Sequence, residues 1–456
     1  MAASLTALDL FFILCYIFLL ILLGYISASK ETREDFLIAG RSLGTFANTA
    51  TIVASKSGTG ALVTFVALVY LYGISAMWFF AGASTGYIIF IFFAVNLRKI
   101  SSDKEFYTLS DYFFDKFGKT TGFISAGIVL VYMLLASLLQ LIGGAKILAF
   151  VSGISFTVSL FIIGATILIY TILGGFRAVV KTDIAQLLSL IVLMGFLGYI
   201  ISPGSIDIPP SASLSAAKTA PLKSIISFFI IGIILPFASA ELWQRVYAAR
   251  DVQTVRRSLI ASALVYQFIG ILLLIIGLVI SPQLSGIDPD MVLIEGFTTL
   301  LPPGFTGLAI VVFLAAVMSS ADSYLFVNIS VLLQDFYARL RPLKKTGLVK
   351  LFRYTLIIFL AICLLLSFWL RSMVAITFIV LAFSSVIALA GMAAWMMKKI
   401  TAPTIIGGMV TGFVGTLVIA LTSPIAETLI LNAFSFTLFG FFAGSLLHWL
   451  YEKKQN

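Results

Sequence analysis

Residues 51–68 of the chain are Thr-Ile-Val-Ala-Ser-Lys-Ser-Gly-Thr-Gly-Ala-Leu-Val-Thr-Phe-Val-Ala-Leu. Within this apolar run, Ala54 to Gly60 form a polar interruption that contains two glycines. A continuous helix facing lipid does not tolerate such an interruption, whereas a broken helix lining a cavity does. A second break is predicted at residues 235–241, because Pro236 removes a backbone hydrogen bond and small residues leave space beside it. Both stretches predict broken helices inside a membrane protein.

The composition of the whole chain agrees with a membrane location. Of its 456 residues, 61% are hydrophobic and only 11% are charged, and the mean hydropathy is +1.13. No soluble fold hides that much apolar surface. Apolar runs of about 18 residues or more predict about thirteen transmembrane helices in one all-α membrane domain. The predicted spans are 5–28, 43–70, 74–98, 120–152, 154–174, 177–201, 223–247, 257–281, 303–339, 350–371, 372–398, 402–423 and 425–452.

The distribution of charge predicts the orientation of the chain. Most of the 29 lysines and arginines lie in alternate loops, all on one side of the predicted spans. The positive-inside rule then places the N-terminus outside and the C-terminus in the cytoplasm, in a multi-pass protein of the cell (inner) membrane. The basic loops also offer contacts to anionic lipid headgroups. These basic segments are Arg33 and Arg41, Arg98 to Lys119, Arg177 and Lys181, Arg245 to Arg257, Arg339 to Arg353, Lys398 and Lys399, and Lys453 and Lys454.

Several classes of function are disfavoured by counts and by missing motifs. The net charge of +10 is not gathered on a soluble face, so nucleic-acid binding is not expected. One histidine and two cysteines, Cys15 and Cys363, cannot form a zinc or haem site, and no acid/base or nucleophile cluster is evident. The absence of a nucleotide-binding loop argues against ATP-driven transport. We therefore expect no enzyme, no cofactor and no obligate protein partner.

Five motifs in the cytoplasmic and helical segments together resemble the sodium/solute symporter family, which includes proline, pantothenate, sugar, sialic acid and choline carriers. The most recognisable begins Gly174-Gly-Phe-Arg and ends at Gln186. The motifs occur in the family's order and cover most of the chain. The other four are Asp35 to Gly44, Thr108 to Phe113, Trp243 to Arg250, and Ala315 to Ser323.

The resemblance implies a leucine-transporter-type fold built from two inverted repeats of five helices. In this chain, residues 43–201 would form the first repeat and residues 223–398 the second. Residues 1–42 would add an N-terminal helix and loop, and residues 402–456 would add peripheral C-terminal helices. Solute and ion bind in such folds where the first helix of each repeat is broken.

The resemblance also implies a cation site. Ser319 and Ser320, with the carbonyls of Ala54, Ser57 and Ala316, match the family's sodium ligands. Sodium is a hard cation that prefers oxygen, and the helical spacing of the serines places their hydroxyls on one face. The alternative is that these hydroxyls only bond the preceding helical turn and permit close packing.

A second ion or proton site is implied at Asp183, Asp322 and Ser323. Asp183 is also explained as a residue at a helix start, where its charge complements the helix dipole. Asp322 is predicted deep in the membrane, where an unpaired carboxylate is costly, so it requires a cation, a proton or a lysine partner.

Lys56 is the main departure from the family, because related carriers place a neutral polar residue or an aspartate there. An ammonium about 4 Å from a sodium ion costs roughly 4 kcal/mol at an effective dielectric near 20. Lys56 therefore binds a solute carboxylate, pairs with Asp322 or Glu241, or replaces sodium by taking up and losing a proton. Ser55, Thr59, Gln140 and Glu241 are the other candidate solute or coupling residues.

The resulting prediction is a secondary transporter that imports a small organic solute, which we expect to be a carboxylate, on a sodium or proton gradient by alternating access. The main alternative is a sodium-independent or proton-coupled carrier in which Lys56 takes the place of sodium. A solute sensor is a further alternative, but its output would need a separate partner.

Overall fold

The computed structural model describes residues 7–27, 32–200, 219–281, 284, 286–300, 306–341 and 347–455. Within these residues the protein is helical and contains no β-strand, only an isolated bridge between Leu43 and Ala249. The prediction of an all-α membrane protein is confirmed. The helices are α1 (Ala7–Ser27), α2 (Arg33–Ile38), α3 (Thr45–Lys56), α4 (Phe65–Tyr72), α5 (Trp78–Asp103), α6 (Leu109–Phe117), α7 (Lys119–Ser152), α8 (Phe156–Ile200), α9 (Leu222–Ala238), α10 (Ala240–Ala248), α11 (Val252–Ile280), α12 (Val292–Leu300), α13 (Thr306–Ser330), α14 (Ala338–Leu340), α15 (Leu348–Leu366), α16 (Met373–Met396), α17 (Ala402–Thr422) and α18 (Thr428–Gln455).

If only unbroken helices are counted, fewer helices in the described residues can cross a membrane than the thirteen spans predicted from the sequence. In the described part of the chain, nine helical segments are long and apolar enough, or ten if the bent pair α9 and α10 is one span. Broken helices fall short of this length because each half carries only part of the apolar run. The number thirteen therefore stays a prediction.

Both predicted breaks are present. The helix α3 ends at Lys56, and after Ser57 and Gly58 the chain resumes as a π-helical turn, Gly60–Thr64, that leads into α4. The helices α9 and α10 meet at Ser239 with a bend of 46°. Each break lies in the first helix of a predicted repeat, which is where the resemblance to the symporter family places it.

The helix α8 accounts for two predicted spans, 154–174 and 177–201. It is interrupted at Gly175, whose backbone angles of φ 56° and ψ −159° lie outside the helical region. Such a conformation favours glycine because a side chain would strain it. The division of the chain into repeats at residues 43–201 and 223–398 remains a prediction.

The centre of the protein is the helix α13. In the span Ala309–Leu340, which contains most of α13, 94% of the residues in the most apolar 18-residue stretch are buried. The corresponding buried fraction is 28% for α1 and 33% for both α17 and α18. A helix buried all round in a membrane protein is surrounded by other helices and not by lipid. The serines and the aspartate of α13 therefore face protein, with α3, α7 and α8 as neighbours.

Candidate solute and cation site

A cavity of about 110 Å³ lies where the two broken helices meet. We call it the central cavity. Most of its lining is apolar, and α7 and α16 form much of the remaining wall, with single residues from α5, α11, α13 and α18. The volume holds several water molecules at about 10–15 Å³ each, or one small solute. An apolar cavity with a few convergent polar groups is the usual form of a binding site for a small organic molecule. The polar side chains that line it are Lys56, Thr64, Tyr132, Gln140, Ser239, Glu241, Tyr266, Tyr324, Thr377 and Ser384.

Three oxygens of the predicted cation site converge beside the break in α3. The Ser319 hydroxyl donates to the Ala54 carbonyl at 2.8 Å and is 3.1 Å from the Ala316 carbonyl. Ser319 is fully buried. The cluster therefore joins the C-terminal turn of α3 to the middle of α13 through oxygens alone, which is the chemistry that a sodium ion requires.

The other two predicted cation ligands have different contacts. The Ser320 hydroxyl donates to the Ser55 carbonyl at 3.0 Å, one residue further along α3. The ligand predicted at Ser57 is its carbonyl, which stays a prediction; the Ser57 hydroxyl donates to Val53 O at 2.8 Å, one turn earlier in the chain. Both residues are fully buried beside the break, and the Ser320 hydrogen bond joins α13 to α3.

Gln140 of α7 stabilises the irregular backbone after the break. Its side-chain oxygen accepts a hydrogen bond of 2.8 Å from the Thr59 N–H. A β-carbon on Gly58 would lie 2.3 Å from the Ser320 hydroxyl and 2.4 Å from the Gln140 oxygen. The break is therefore packed too closely for any residue larger than glycine.

Lys56 forms an ion pair with Glu241 across the two breaks. Glu241 is fully buried, and the Lys56 side chain is 10% exposed, toward the central cavity that both line. Lys56 is the last residue of α3 and Glu241 lies in the first turn of α10. Each charge therefore complements the dipole of its own half-helix. Of the three arrangements predicted for Lys56, the structure contains the pair with Glu241.

The second predicted ion site surrounds a buried arginine. Arg245 is fully buried, and its guanidinium donates a hydrogen bond of 3.2 Å to Asp183 and one of 2.7 Å to the Ser323 hydroxyl. It also donates to the Thr51 carbonyl and hydroxyl and to the Glu241 carbonyl. Asp183 accepts a further hydrogen bond from Thr51. A single guanidinium therefore ties α10 to α3, α8 and α13.

Asp322 is the third residue of that predicted site and is fully buried. It lies close to Asp183, Tyr170 and Arg245. The Arg245 hydrogen bonds in the described part of the chain do not reach Asp322, so its charge is compensated less directly than that of Asp183.

Arg245 was predicted to begin a basic cytoplasmic segment, Arg245 to Arg257, and this was wrong for Arg245 itself, which is fully buried. The guanidinium contacts the Glu241 carbonyl, while the Glu241 carboxylate pairs with Lys56. Arg245 lies in the family motif Trp243 to Arg250, but nothing in that local sequence indicates Asp183 as its partner. The cavity residues Tyr132, Thr64 and Thr377 gave no signal either, because isolated hydroxyls in apolar helices usually form interhelical hydrogen bonds.

Comparison with known proteins agrees with this geometry. Residues 36–415 match the model of the sodium:solute symporter family. The chain is 25% identical over 374 residues to the osmoregulated proline transporter OpuE of Bacillus subtilis, covering 77% of this chain and 76% of the relative. It is 28% identical over 349 residues to the sodium/proline symporter of Salmonella typhimurium, with 71% and 69% covered. It is 25% identical over 370 residues to the sodium/pantothenate symporter of Haemophilus influenzae, with 74% of each covered.

A solved structure shows the same fold. A Na⁺-coupled sialic acid symporter in a substrate-bound, outward-open state superimposes with a TM-score of 0.83 at 18% identity, over 97% of this chain and 98% of that one. The family match spans far more than half of the sequence, and the two helix breaks and their oxygen cluster lie inside it. The chain therefore belongs to the sodium:solute symporter family and is a cation-coupled membrane transporter, not an enzyme.

Proposed function

We propose that the protein imports a small solute bearing a carboxylate, such as an amino acid, together with sodium. The observation that carries this proposal is the central cavity, because both helix breaks line it and an oxygen cluster suited to sodium adjoins it. Movement of the half-helices at these breaks then connects solute binding and ion binding to one change of access.

The sodium ion is proposed to bind between α3 and α13, held by the carbonyls of Ala54 and Ala316 and the hydroxyl of Ser319. Ser320 and the Ser57 carbonyl complete the proposed set. The Ser319 hydroxyl donates to the Ala54 carbonyl, and on sodium binding it would rotate so that its lone pair faces the cation. Because the ligands come from both helices, sodium favours the arrangement in which α3 and α13 are in contact.

The solute is proposed to use the charges of Lys56 and Glu241. Its carboxylate would approach the Lys56 ammonium, and an amino group on the same molecule would approach Glu241, so that every buried charge keeps a partner. Gln140 and the Thr64 hydroxyl offer neutral hydrogen bonds, and the apolar walls accept the remainder of the solute. The named substrates of two relatives, proline and pantothenate, both carry a carboxylate.

The orientation with the N-terminus outside and the C-terminus in the cytoplasm is part of the proposal. Several basic loops contact one another and thus share one face of the protein. Arg41 donates to the Phe106 carbonyl at 3.2 Å, and Arg98 donates to the Ala249 carbonyl at 2.7 Å. On the same face, Arg177 pairs with Asp35 at 2.6 Å, and Thr32 and Arg177 hold the pKa of Asp35 below its ordinary value. A common basic face is what the positive-inside rule expects of the cytoplasmic side.

The test uses the purified full chain in proteoliposomes. Thermal unfolding is first followed while sodium is titrated against choline chloride, and a panel of amino acids, short organic acids and a hexose is then added at saturating sodium. The best solute is compared with its amide, which lacks the carboxylate, and with its analogue lacking the amino group. Uptake of the radiolabelled solute is finally measured with and without an inward sodium gradient.

We expect saturable stabilisation by sodium, further stabilisation by an amino acid, and uptake that depends on the gradient. Stabilisation by a solute with no sodium effect, and uptake driven by a proton gradient, would identify the alternative in which Lys56 takes the place of sodium. Binding of a solute without uptake under either gradient would favour a sensor.

A further inference from the structure

Lys56, the partner of Glu241, belongs to the same last turn of α3 as the proposed sodium ligand Ala54, so the ion pair bears on the proposed ion site as well as on the solute. Lys56 follows Ala54 by two residues and precedes Ser57, so its backbone belongs to the same turn that supplies the cation-binding carbonyl. The site is buried, where like charges interact more strongly than in water. An uncompensated ammonium at this position would oppose sodium binding.

Glu241 supplies the compensation from the other broken helix. Its carboxylate is fully buried, and its ion-pair partner is the Lys56 ammonium. Arg245, one turn later in α10, pairs with Asp183 and directs its remaining hydrogen bonds to Thr51, Ser323 and the Glu241 carbonyl. Among the described residues that line the central cavity, Lys56 and Glu241 are the only lysine, arginine, aspartate or glutamate side chains.

We propose that Glu241 is a positioning residue for coupling: by pairing with Lys56, it draws the ammonium away from the sodium site and cancels its charge, which permits a cation to bind next to a lysine. The pair also links the two breaks, so that sodium affinity depends on α3 and α10 remaining together. Separation of the half-helices during transport would break the pair, return the Lys56 charge to the ion site and expel sodium. The inference rests on the sodium site proposed above.

A double-mutant cycle on the purified full chain tests this role, with sodium affinity measured by thermal shift and by binding of radioactive sodium. Glu241→Gln leaves the ammonium uncompensated and should weaken sodium binding by about tenfold or more. Lys56→Met/Glu241→Gln removes both charges with similar shapes and should restore affinity to within about threefold of the wild type. Lys56→Met alone leaves a carboxylate near the site and should bind sodium at least as tightly as the wild type.

Recovery of sodium affinity in the double variant separates charge compensation from simple structural damage, because a purely structural role of Glu241 would not be rescued by removing Lys56. If Glu241→Gln fails a size-exclusion check of folding, Lys56→Met and the double variant still decide. Sodium affinity that is tenfold or more below the wild type in the double variant would overturn the inference, as would an unchanged affinity in folded Glu241→Gln.

Ser319→Ala distinguishes this failure from a failure of the proposed function. Loss of sodium binding in Ser319→Ala, combined with no effect of Glu241→Gln, rejects only the role of Glu241. Absence of sodium binding in the wild type rejects the sodium site itself and the inference with it. A sodium effect that appears only when Lys56 is replaced overturns the inference in a specific way, because the lysine would then occupy the position of the ion.

Discussion

The Ser319 hydroxyl donates a 2.8 Å hydrogen bond to the carbonyl of Ala54, which joins the central helix α13 to the last turn of the broken helix α3. Replacing this hydroxyl removes one proposed sodium ligand and leaves the Ala54 carbonyl with one contact fewer. We expect Ser319→Ala to raise the dissociation constant for sodium by about tenfold or more, which corresponds to about 1.4 kcal/mol. Sodium titration against choline, followed by thermal unfolding, measures the change.

The matched control for that substitution is Ser330→Ala on the same helix. The Ser330 hydroxyl is equally buried but donates its hydrogen bond, of 2.8 Å, to the Phe326 carbonyl within α13. Its removal should leave sodium affinity unchanged. Equal losses in the two variants would contradict a specific role for Ser319.

Replacement of Arg245 should destabilise the protein more than any single surface charge. Arg245→Met would leave Asp183 buried without its cation and would remove the contact to Ser323. Removing one partner of a buried ion pair costs about 3–5 kcal/mol. The midpoint of thermal unfolding should fall by several degrees in sodium-free buffer, where ion binding does not contribute.

Arg250→Met tests whether this loss is specific to the buried arginine. Arg250 also pairs with an aspartate, Asp251, but the two side chains are 68% and 48% exposed. Exposed pairs contribute about 0–1 kcal/mol, so its unfolding midpoint should stay close to the wild-type value. A similar fall in both variants would argue against the proposed tie between α10 and its neighbours.

Gly58→Ala should disrupt the break in α3. The added β-carbon would come within 2.3 Å of the Ser320 hydroxyl and 2.4 Å of the Gln140 oxygen, so α3 must move away from α13 or α7. Because the sodium ligands come from both α3 and α13, we expect weaker sodium binding and slower sodium-driven uptake. Gly127→Ala on α7, with open space around its β-carbon, should retain both activities.

Asp290 should stabilise the first turn of α16. Its carboxylate pairs with Lys146 at 2.9 Å and accepts hydrogen bonds from the N–H groups of Met373 and Val374. Asp290→Ala removes a helix cap and a half-buried ion pair, and caps contribute about 0.5–2 kcal/mol. We expect a lower unfolding midpoint, and no comparable change in Asp115→Ala, whose pair with Lys104 is largely exposed.

Local pattern was sufficient for much of the fold. Apolar runs predicted the helices, and the polar stretch 54–60 and Pro236 predicted both breaks, because lipid imposes a strict rule on unsatisfied backbone groups. The predicted spans 154–174 and 177–201 coincide with α8, and only the structure shows them as one helix interrupted at Gly175. Glycine has the freedom to end a helix or to kink it, and sequence does not distinguish the two outcomes.

The candidate site was predicted in part. Ser319, Ala54 and Ala316 do meet, as the family motif implied. Gln140, predicted as a solute or coupling residue, lines the central cavity and also accepts an interhelical hydrogen bond from Thr59. Arg245 was missed because nothing in its local sequence states that Asp183, more than sixty residues earlier, lies within reach.

The sequence by itself determined that this chain is a membrane protein with two broken helices and that it belongs to a family of sodium-coupled carriers, because these properties depend on composition and local pattern. Tertiary structure alone decided which buried charges pair: Lys56 with Glu241, and Arg245 with Asp183. A charge inside a membrane requires a partner, and the sequence alone offers several acidic residues on different helices as partners for each basic side chain. The packing of α3, α8 and α10 around α13 brings Glu241 to Lys56 and Asp183 to Arg245.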